Sequence, residues 1–209
     1  GLTCTGKKYP ISVAGGASSS IAGNTVLKLM SGTYHRIFGG GSTTNQLDGS
    51  ARITVDGTVA VNGAMTANSG DVKNTNASDN ELILTKNSNL ILHCNADIER
   101  LNAEQGSQIT MDSGTTLSVL DILSGTIAAN FEQGAAPGNY VIAPSDTASN
   151  AVEFGAMPDG TICQYAVKDD RAVWSLAVPE IQNFYVYLSD SGNNGNDGLS
   201  PLAPVATIS

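Results

Sequence analysis

Two histidines and three cysteines are the residues of this chain with the widest range of side-chain chemistry, as nucleophiles, bases or metal ligands. His35 lies in a glycine-rich segment, and His93 is directly beside Cys94. Adjacent residues of a strand point to opposite faces, so His93 and Cys94 are not expected to act together as a dyad. The cysteines, which include Cys4 and Cys163, have no metal-ligand spacing such as CxxC. We expect three buried thiols, with one disulfide plus one free thiol as the alternative.

The motifs that mark common catalytic centres are absent from the sequence. There is no GxSxG nucleophile elbow, no GxGxxG after a strand and no phosphate-binding P-loop. The run Gly39–Gly41 instead indicates a corner at which the backbone needs positive φ angles. We therefore predict that this chain has no catalytic residue and is not an enzyme.

A segment near the C-terminus partly imitates a calcium-binding loop. An EF-hand needs a glutamate at position twelve of the loop, and Pro201 stands there. A looser calcium site is one hypothesis, and a turn held by side-chain-to-backbone hydrogen bonds is the other. We expect no cofactor, apart from calcium under the first of these hypotheses. The candidate calcium ligands are Asp190, Asn194, Asn196 and Asp197.

Aromatic side chains are the residues that would stack on sugar rings in a carbohydrate-binding protein. They make up only 5% of this chain. Each of the candidates could equally fill the core or a corner of the fold. The candidate ligand-binding residues are Tyr34, Phe38, Tyr185 and Tyr187.

Composition and charge exclude several classes of partner. The net charge of −9 repels the phosphate backbone of nucleic acids and anionic lipid surfaces. No run of 18 apolar residues is present, so we predict no membrane span. Hydrophobic residues make up 41% of the chain, enough for a core. Only 14% of residues are charged and 23 are glycine, which suits short strands and turns.

The elements that would position these residues are short strands. Apolar runs recur from Glu81 to Ile127, each bounded by polar or turn residues. Leu82 and Ile109 lie 27 residues apart, as do Leu90 and Leu117. This spacing predicts a three-sided coil whose circuits take roughly 20–30 residues and whose strands stack in parallel around one core. The predicted fold is all-β, a right-handed parallel β-helix, or solenoid.

An antiparallel β-sandwich is the alternative fold. Asp56 and Gly57 separate two short strands, Ile53–Val55 and Thr58–Val61, and could form a type I′ hairpin turn between them. The scarcity of other good hairpin turns between Glu81 and Ile127 favours the solenoid.

The sequence changes character after Phe131. Ile162–Val167 and Ala172–Leu176 predict an antiparallel hairpin that caps the solenoid, and Trp174 is expected to seal this cap. We predict a solenoid at residues 1–133, a β-rich cap at 134–180, and a linker with the truncated start of a following domain at 181–209. The chain is thus expected to be a piece of a longer protein.

Two segments resemble known families. Ser31–Gly41, SGTYHRIFGGG, resembles the SGGTY-x-x-IYGGG pattern of repetitive β-rich surface proteins of Gram-positive gut bacteria, and Ala51–Gly57, ARITVDG, resembles the strand that accompanies it. Phe184–Ile208 is similar to the segment that opens right-handed parallel β-helix domains of the pectate-lyase-like superfamily, with Val205 in place of the usual phenylalanine.

These resemblances imply an exported protein, extracellular or attached to the cell wall, that faces polysaccharide or a host surface. They imply a non-catalytic structural or adhesive module. The alternative is the N-terminal accessory part of a polysaccharide lyase or glycoside hydrolase, whose catalytic residues would lie beyond Ser209.

Overall fold

Alternating buried and exposed side chains give this chain a series of short strands. The computed structural model describes residues 12–16, 23–41, 49–66, 80–132, 134–155, 157–180 and 188–195. In the strand Glu81–Leu84, Leu82 and Leu84 are fully buried, whereas Glu81 and Ile83 are only partly buried, which is the period of two that a strand requires. The prediction of an all-β fold is confirmed, because the described residues contain strands, turns and one short 3₁₀ segment, Ser149–Ala151.

The strands are β1 (Ser12–Gly16), β2 (Thr25–Leu29), β3 (Gly32–Gly41), β4 (Ala51–Val55), β5 (Thr58–Thr66), β6 (Glu81–Leu84), β7 (Asn89–Leu92), β8 (Ala96–Ala103), β9 (Gln108–Met111), β10 (Leu117–Gly125), β11 (Ile127–Phe131), β12 (Gly138–Pro144), β13 (Val152–Phe154), β14 (Ile162–Lys168) and β15 (Arg171–Ala177). In this described part of the chain, no helix has the length and apolarity needed to cross a membrane.

The strands pair in three columns, within one mixed and nearly closed sheet. The first column stacks β2, β4, β6, the end of β8 and the end of β10. The second stacks the start of β3, the start of β5, then β7, β9, β11 and β13. The third stacks β1, the end of β3, the end of β5, the start of β8, the start of β10, and β12. The chain visits the columns in the same order repeatedly, and we call one such passage a circuit.

Parallel pairing decides against the alternative fold. Twelve of the fourteen pairings between described strands are parallel. β4 and β5 belong to different columns and do not pair with each other, so the hairpin suggested for Asp56-Gly57 is wrong. Gly57 has a φ of 142°, and a Cβ there would meet the carbonyl oxygen of Met30 at 1.9 Å. Glycine is therefore needed at this corner because the neighbouring circuit passes close to it.

The core consists of aliphatic side chains that repeat at matching positions of successive circuits. Leu82 pairs with Leu101 in the first column and Leu90 with Ile109 in the second, and the exposure of all four is at most 1%. Burying a side chain of this size stabilises the fold by about 1.5–3 kcal/mol. Both pairs lie 19 residues apart, so the 27-residue spacing taken from the sequence is wrong as a measure of one circuit here.

Within the described residues, four tight turns connect the columns with the same geometry. In each, the fourth N–H donates to the first carbonyl, and the third residue has a positive φ. This pattern is that of a type II turn, which favours glycine or asparagine at the third position. The third residues are Asn87 (φ 60°), Gly106 (84°), Gly114 (76°) and Gly134 (88°).

An antiparallel hairpin ends the third column, as the sequence predicts. β14 pairs with β15, and β15 pairs with the free edge of β12. Ala172, Trp174 and Leu176 alternate on the buried face of β15, and the Trp174 indole N–H donates to the carbonyl of Ser149 at 2.9 Å. The hairpin thus occupies hydrogen-bonding groups of β12 that would otherwise form an open sheet edge.

The chain forms two compact units, residues 1–178 and 179–209. All fifteen described strands belong to the first unit. In the second unit the structure describes residues 188–195 with the 179–180 segment, and Gly192 N–H donates to the Ser189 carbonyl at 2.7 Å in a turn there.

Candidate functional site

Two of the four aromatic residues proposed from the sequence to bind a ligand are buried, and the other two lie outside the described residues. Tyr34 is 6% exposed and Phe38 is 7% exposed, so both pack in the interior and offer almost no surface for a sugar ring. The Tyr34 hydroxyl donates to the carbonyl of Ser31 at 3.2 Å. Tyr185 and Tyr187 lie outside the described residues.

Two of the four candidate calcium ligands lie in the described part of the second unit. Asp190 and Asn194 are exposed there, whereas Asn196 and Asp197 lie outside the described residues. The described segment 188–195 contains side-chain-to-backbone hydrogen bonds, and in one of them Gly195 N–H donates to the Asn193 side-chain oxygen at 2.8 Å. Such bonds are those expected of an asparagine-rich turn.

The thiols are more accessible than the sequence suggests. Cys163 is exposed on β14 and Cys94 is partly buried, and both are free thiols. The expectation of three buried thiols is therefore wrong for Cys163, because β14 is exposed along its whole length. The protein atoms around each sulfur displace water from it, and this desolvation raises the pKa of both the Cys94 and the Cys163 thiol. Cys4 lies outside the described residues.

The side chains of His93, Asp112 and Glu132 meet at one corner of the first unit, and we call these three residues the corner triad. Each residue directly follows a strand of the second column: β7 ends at Leu92, β9 at Met111 and β11 at Phe131. Backbone hydrogen bonds continue the parallel pairing through this corner. His93 N–H donates to Val61, Asp112 N–H to Leu92 and Glu132 N–H to Met111, at 2.9, 3.2 and 3.1 Å. The corner triad is thus a vertical row, one residue from each of three successive circuits.

The side chains of the corner triad lie close enough for direct interaction. His93 Nδ1 lies 2.6 Å from Asp112 Oδ2 and 3.9 Å from Glu132 Oε1. One ligand atom from each side chain can be chosen so that all three lie within 4.8 Å of one another. The side chains of His93 and Asp112 are each 31% exposed and that of Glu132 is 46% exposed. The cluster is therefore held at the surface with one side open to solvent.

The two carboxyl groups of the corner triad influence each other. Burial of Asp112 acts to raise its pKa, but hydrogen bonds from His93 and Glu132 and the charge of His93 outweigh it, so the pKa of Asp112 is lowered. The hydrogen bond to Asp112, with burial and the negative charge of Asp112, raises the pKa of Glu132. Two acidic groups held this close compete for the same proton.

Aromatic contacts fix the third member of the corner triad. The ring of Phe131, next to Glu132, packs edge-on against Tyr140 at 4.7 Å and stacks on Phe154 at 5.2 Å. The Tyr140 hydroxyl donates to the carbonyl of Ala136 at 2.6 Å, and burial raises the pKa of Tyr140. The strand end that carries Glu132 is therefore held by aromatic rings of the two strands that follow it in the chain, β12 and β13.

A shallow cleft adjoins Glu132. It has a volume of about 660 Å³ and is lined by apolar side chains, among them Phe131, Pro137 and Met157, with Asp159 and Thr161 as polar members. A ligand bound at the corner triad would therefore lie beside a surface that contains both apolar and polar side chains.

Sequence reasoning missed the corner triad. From the sequence, His93 is considered only together with Cys94, and Asp112 and Glu132 are not identified as its partners. The signal is the recurrence of a polar, ligand-type residue immediately after an apolar strand, at Leu92-His93, Met111-Asp112 and Phe131-Glu132, with steps of 19 and 20 residues. A 27-residue circuit hides this recurrence.

Comparisons with protein families, with curated proteins and with solved structures found no match.

Proposed function

We propose that this chain is a right-handed parallel β-helix serving as a non-catalytic structural or adhesive module of an exported bacterial surface protein. The observation that carries the proposal is the repeated order of the three strand columns, with parallel pairing between successive circuits around an aliphatic core. Each further circuit adds about 4.8 Å of length, so such a chain suits a spacer or a display surface.

The arrangement of polar residues supports this role. The side chains that point inward from the columns are mainly aliphatic, so the interior is filled and cannot serve as a binding cavity. Most polar groups lie at outward positions and corners, where a partner could contact them. The buried polar residues of the described chain are Thr25, Asn80, Ser88, Glu99, Ser107 and Thr115. The net charge of −9 keeps such a surface soluble and favours neutral or cationic partners over anionic ones.

The resemblance of Ser31–Gly41 to bacterial surface proteins supports the exported location, extracellular or attached to the cell wall. Polysaccharide is the partner class that this resemblance favours. The exposed outer faces of the columns would then be its contact surface, since Tyr34 and Phe38 are buried.

A polysaccharide screen tests this function. The purified chain is incubated with polygalacturonate, mucin and bacterial cell-wall glycan, and both retention and newly formed reducing or unsaturated ends are measured. We expect retention on at least one of them without new ends. New ends above the level of a heat-denatured control would refute the non-catalytic proposal and favour the lyase or hydrolase alternative, and absence of retention on all three would refute the glycan-facing role.

A crystal structure of the chain tests the fold assignment separately. A right-handed coil with parallel pairing of Leu82 with Leu101 is expected. A left-handed coil, or an antiparallel arrangement of β6 and β8, would overturn it.

A further inference from the structure

The corner triad places one imidazole and two carboxylates around a common point. No other group of three histidine, cysteine or acidic side chains in the described part of the chain comes together in this way. The three side chains come from different circuits, so their convergence results from the stacking and not from a local loop. Their backbones are fixed by the ladder hydrogen bonds from His93, Asp112 and Glu132 to the preceding circuit.

We propose that His93, Asp112 and Glu132 bind one divalent transition-metal ion, of the Zn²⁺ class, that links three successive circuits. An imidazole nitrogen with two carboxylate oxygens is a donor set that suits zinc and its neighbours in the first transition series. Calcium and magnesium prefer oxygen ligands alone, so the histidine selects against them. This inference does not depend on the proposed surface function.

The distances fit a small ion after modest side-chain movement. Zinc binds nitrogen and oxygen at about 2.0–2.2 Å, which places neighbouring ligand atoms about 3.0–3.5 Å apart. The separations of 2.6 Å and 3.9 Å from His93 Nδ1 lie on either side of that range. The ligand atoms of Asp112 and Glu132 lie within 4.8 Å of each other, so movements of about 1 Å, available to side chains that are 31–46% exposed, would bring all three ligand atoms into range.

Electrostatics gives an independent reason to expect a cation. Asp112 and Glu132 occupy equivalent positions on adjacent circuits, so the fold itself stacks one carboxylate over another. Among the described residues, His93 is the one ion-pair partner of these two carboxylates. A divalent ion would offset the repulsion between them more fully than one imidazole can.

Three protein ligands leave at least one coordination position for water or another ligand. Zinc sites with three protein ligands and an open position are those that interact with substrates, whereas closed four-ligand sites are structural. Glu132 also lines the cleft described above, and the three side chains are 31–46% exposed. The ion would therefore be accessible from solvent, and its removal by chelators should be rapid.

Zinc titration of the native chain, stripped beforehand with a chelator, tests the proposal. Isothermal calorimetry should show one saturable site, and the thermal midpoint in excess zinc should rise above that in chelator because the ion binds only the folded state. His93→Gln, Asp112→Asn and Glu132→Gln should each weaken binding at least tenfold. His35→Gln and Glu153→Gln, at a histidine and a glutamate outside the corner triad, are matched controls and should change affinity less than twofold.

Cobalt spectroscopy distinguishes this site from zinc capture by a thiol. The Co²⁺ complex should show ligand-field bands without a thiolate-to-cobalt charge-transfer band, and this spectrum should be lost in Asp112→Asn. Each variant is checked for folding by the fluorescence of Trp174, the one tryptophan of the chain. Lack of saturable zinc binding to the native chain, equal weakening by His35→Gln, or a thiolate band would each overturn the proposal.

Discussion

Gly125 is the position at which the stacking of circuits can be tested most directly. It is the last residue of β10 and pairs with Ala103 of β8 in the first column. Its φ is +82°, and an added Cβ would lie 1.9 Å from the carbonyl oxygen of Ala103. Gly114 has nearly the same φ, +76°, but a Cβ there would meet nothing within 4 Å. The two glycines therefore share a backbone strain and differ in the approach of a neighbouring circuit.

The expected loss of stability follows from this difference. Alanine in the left-handed region costs about 1–2 kcal/mol at either position. At Gly125 the carbonyl of Ala103 must also move by about 1 Å to reach the 3.0 Å limit of real Cβ contacts. That movement would weaken about two ladder hydrogen bonds between β8 and β10, at roughly 0.5–1.5 kcal/mol each. We expect Gly125→Ala to lower the free energy of unfolding by about 2–5 kcal/mol and Gly114→Ala by about 1–2 kcal/mol.

Urea unfolding followed by Trp174 fluorescence and by circular dichroism measures both values. Trp174 is 1% exposed, so its emission reports the hairpin end, while circular dichroism reports all strands. Coincidence of the two transitions shows whether a single free energy describes the unfolding. Equal losses for the two variants would refute the close approach of β8 and β10 at this corner.

Three further outcomes follow from contacts of the first unit. The Arg171 guanidinium donates to the carbonyls of Val119 and Leu120, where the pairing of β10 shifts register, so Arg171→Met should lower the free energy of unfolding in urea by about 1.5–3 kcal/mol. A hydrogen bond from Lys28, 2.7 Å away, lowers the pKa of Asp56. The native chain should therefore be more stable than Lys28→Met at neutral pH, and this difference should vanish as the pH falls through the Asp56 pKa. Thermal midpoints of both chains, measured across acidic pH, will show this. Cys163, exposed on β14, should react with a thiol reagent faster than Cys94 in the folded Cys4→Ser variant, as mass spectrometry of peptides will show.

Local patterns in the sequence predict where many of the strands lie. Runs such as Leu82-Ile83-Leu84 and Leu90-Ile91-Leu92 correspond to β6 and β7 because alternating aliphatic residues must face a core. The hairpin of β14 and β15 was also predicted correctly, with Trp174 on its buried face. In both cases the information lies within a few residues of the element.

The register of the circuits could not be predicted in the same way. β8 runs from Ala96 to Ala103 and passes from the third column to the first within one strand. That corner has no glycine or turn residue, because Glu99 and Arg100 continue the strand. A search that locates corners by their turn residues therefore finds too few corners. The 27-residue spacing then looks as good a measure of one circuit as the 19-residue spacing that pairs Leu82 with Leu101. Any aliphatic side chain can stack on another, so composition alone does not choose between these registers.

The corner triad depends on register for the same reason. A linear motif search finds ligands that lie a few residues apart, whereas His93, Asp112 and Glu132 are separated by 19 and 20 residues and meet only because adjacent strands lie about 4.8 Å apart. A strand residue whose side chain faces inward must remain aliphatic, but a corner residue whose side chain points outward has no such constraint. A polar residue repeated at one corner is therefore brought next to its equivalent in the next circuit. In a chain with this topology, the functional site is best sought by aligning circuits rather than by searching for contiguous motifs.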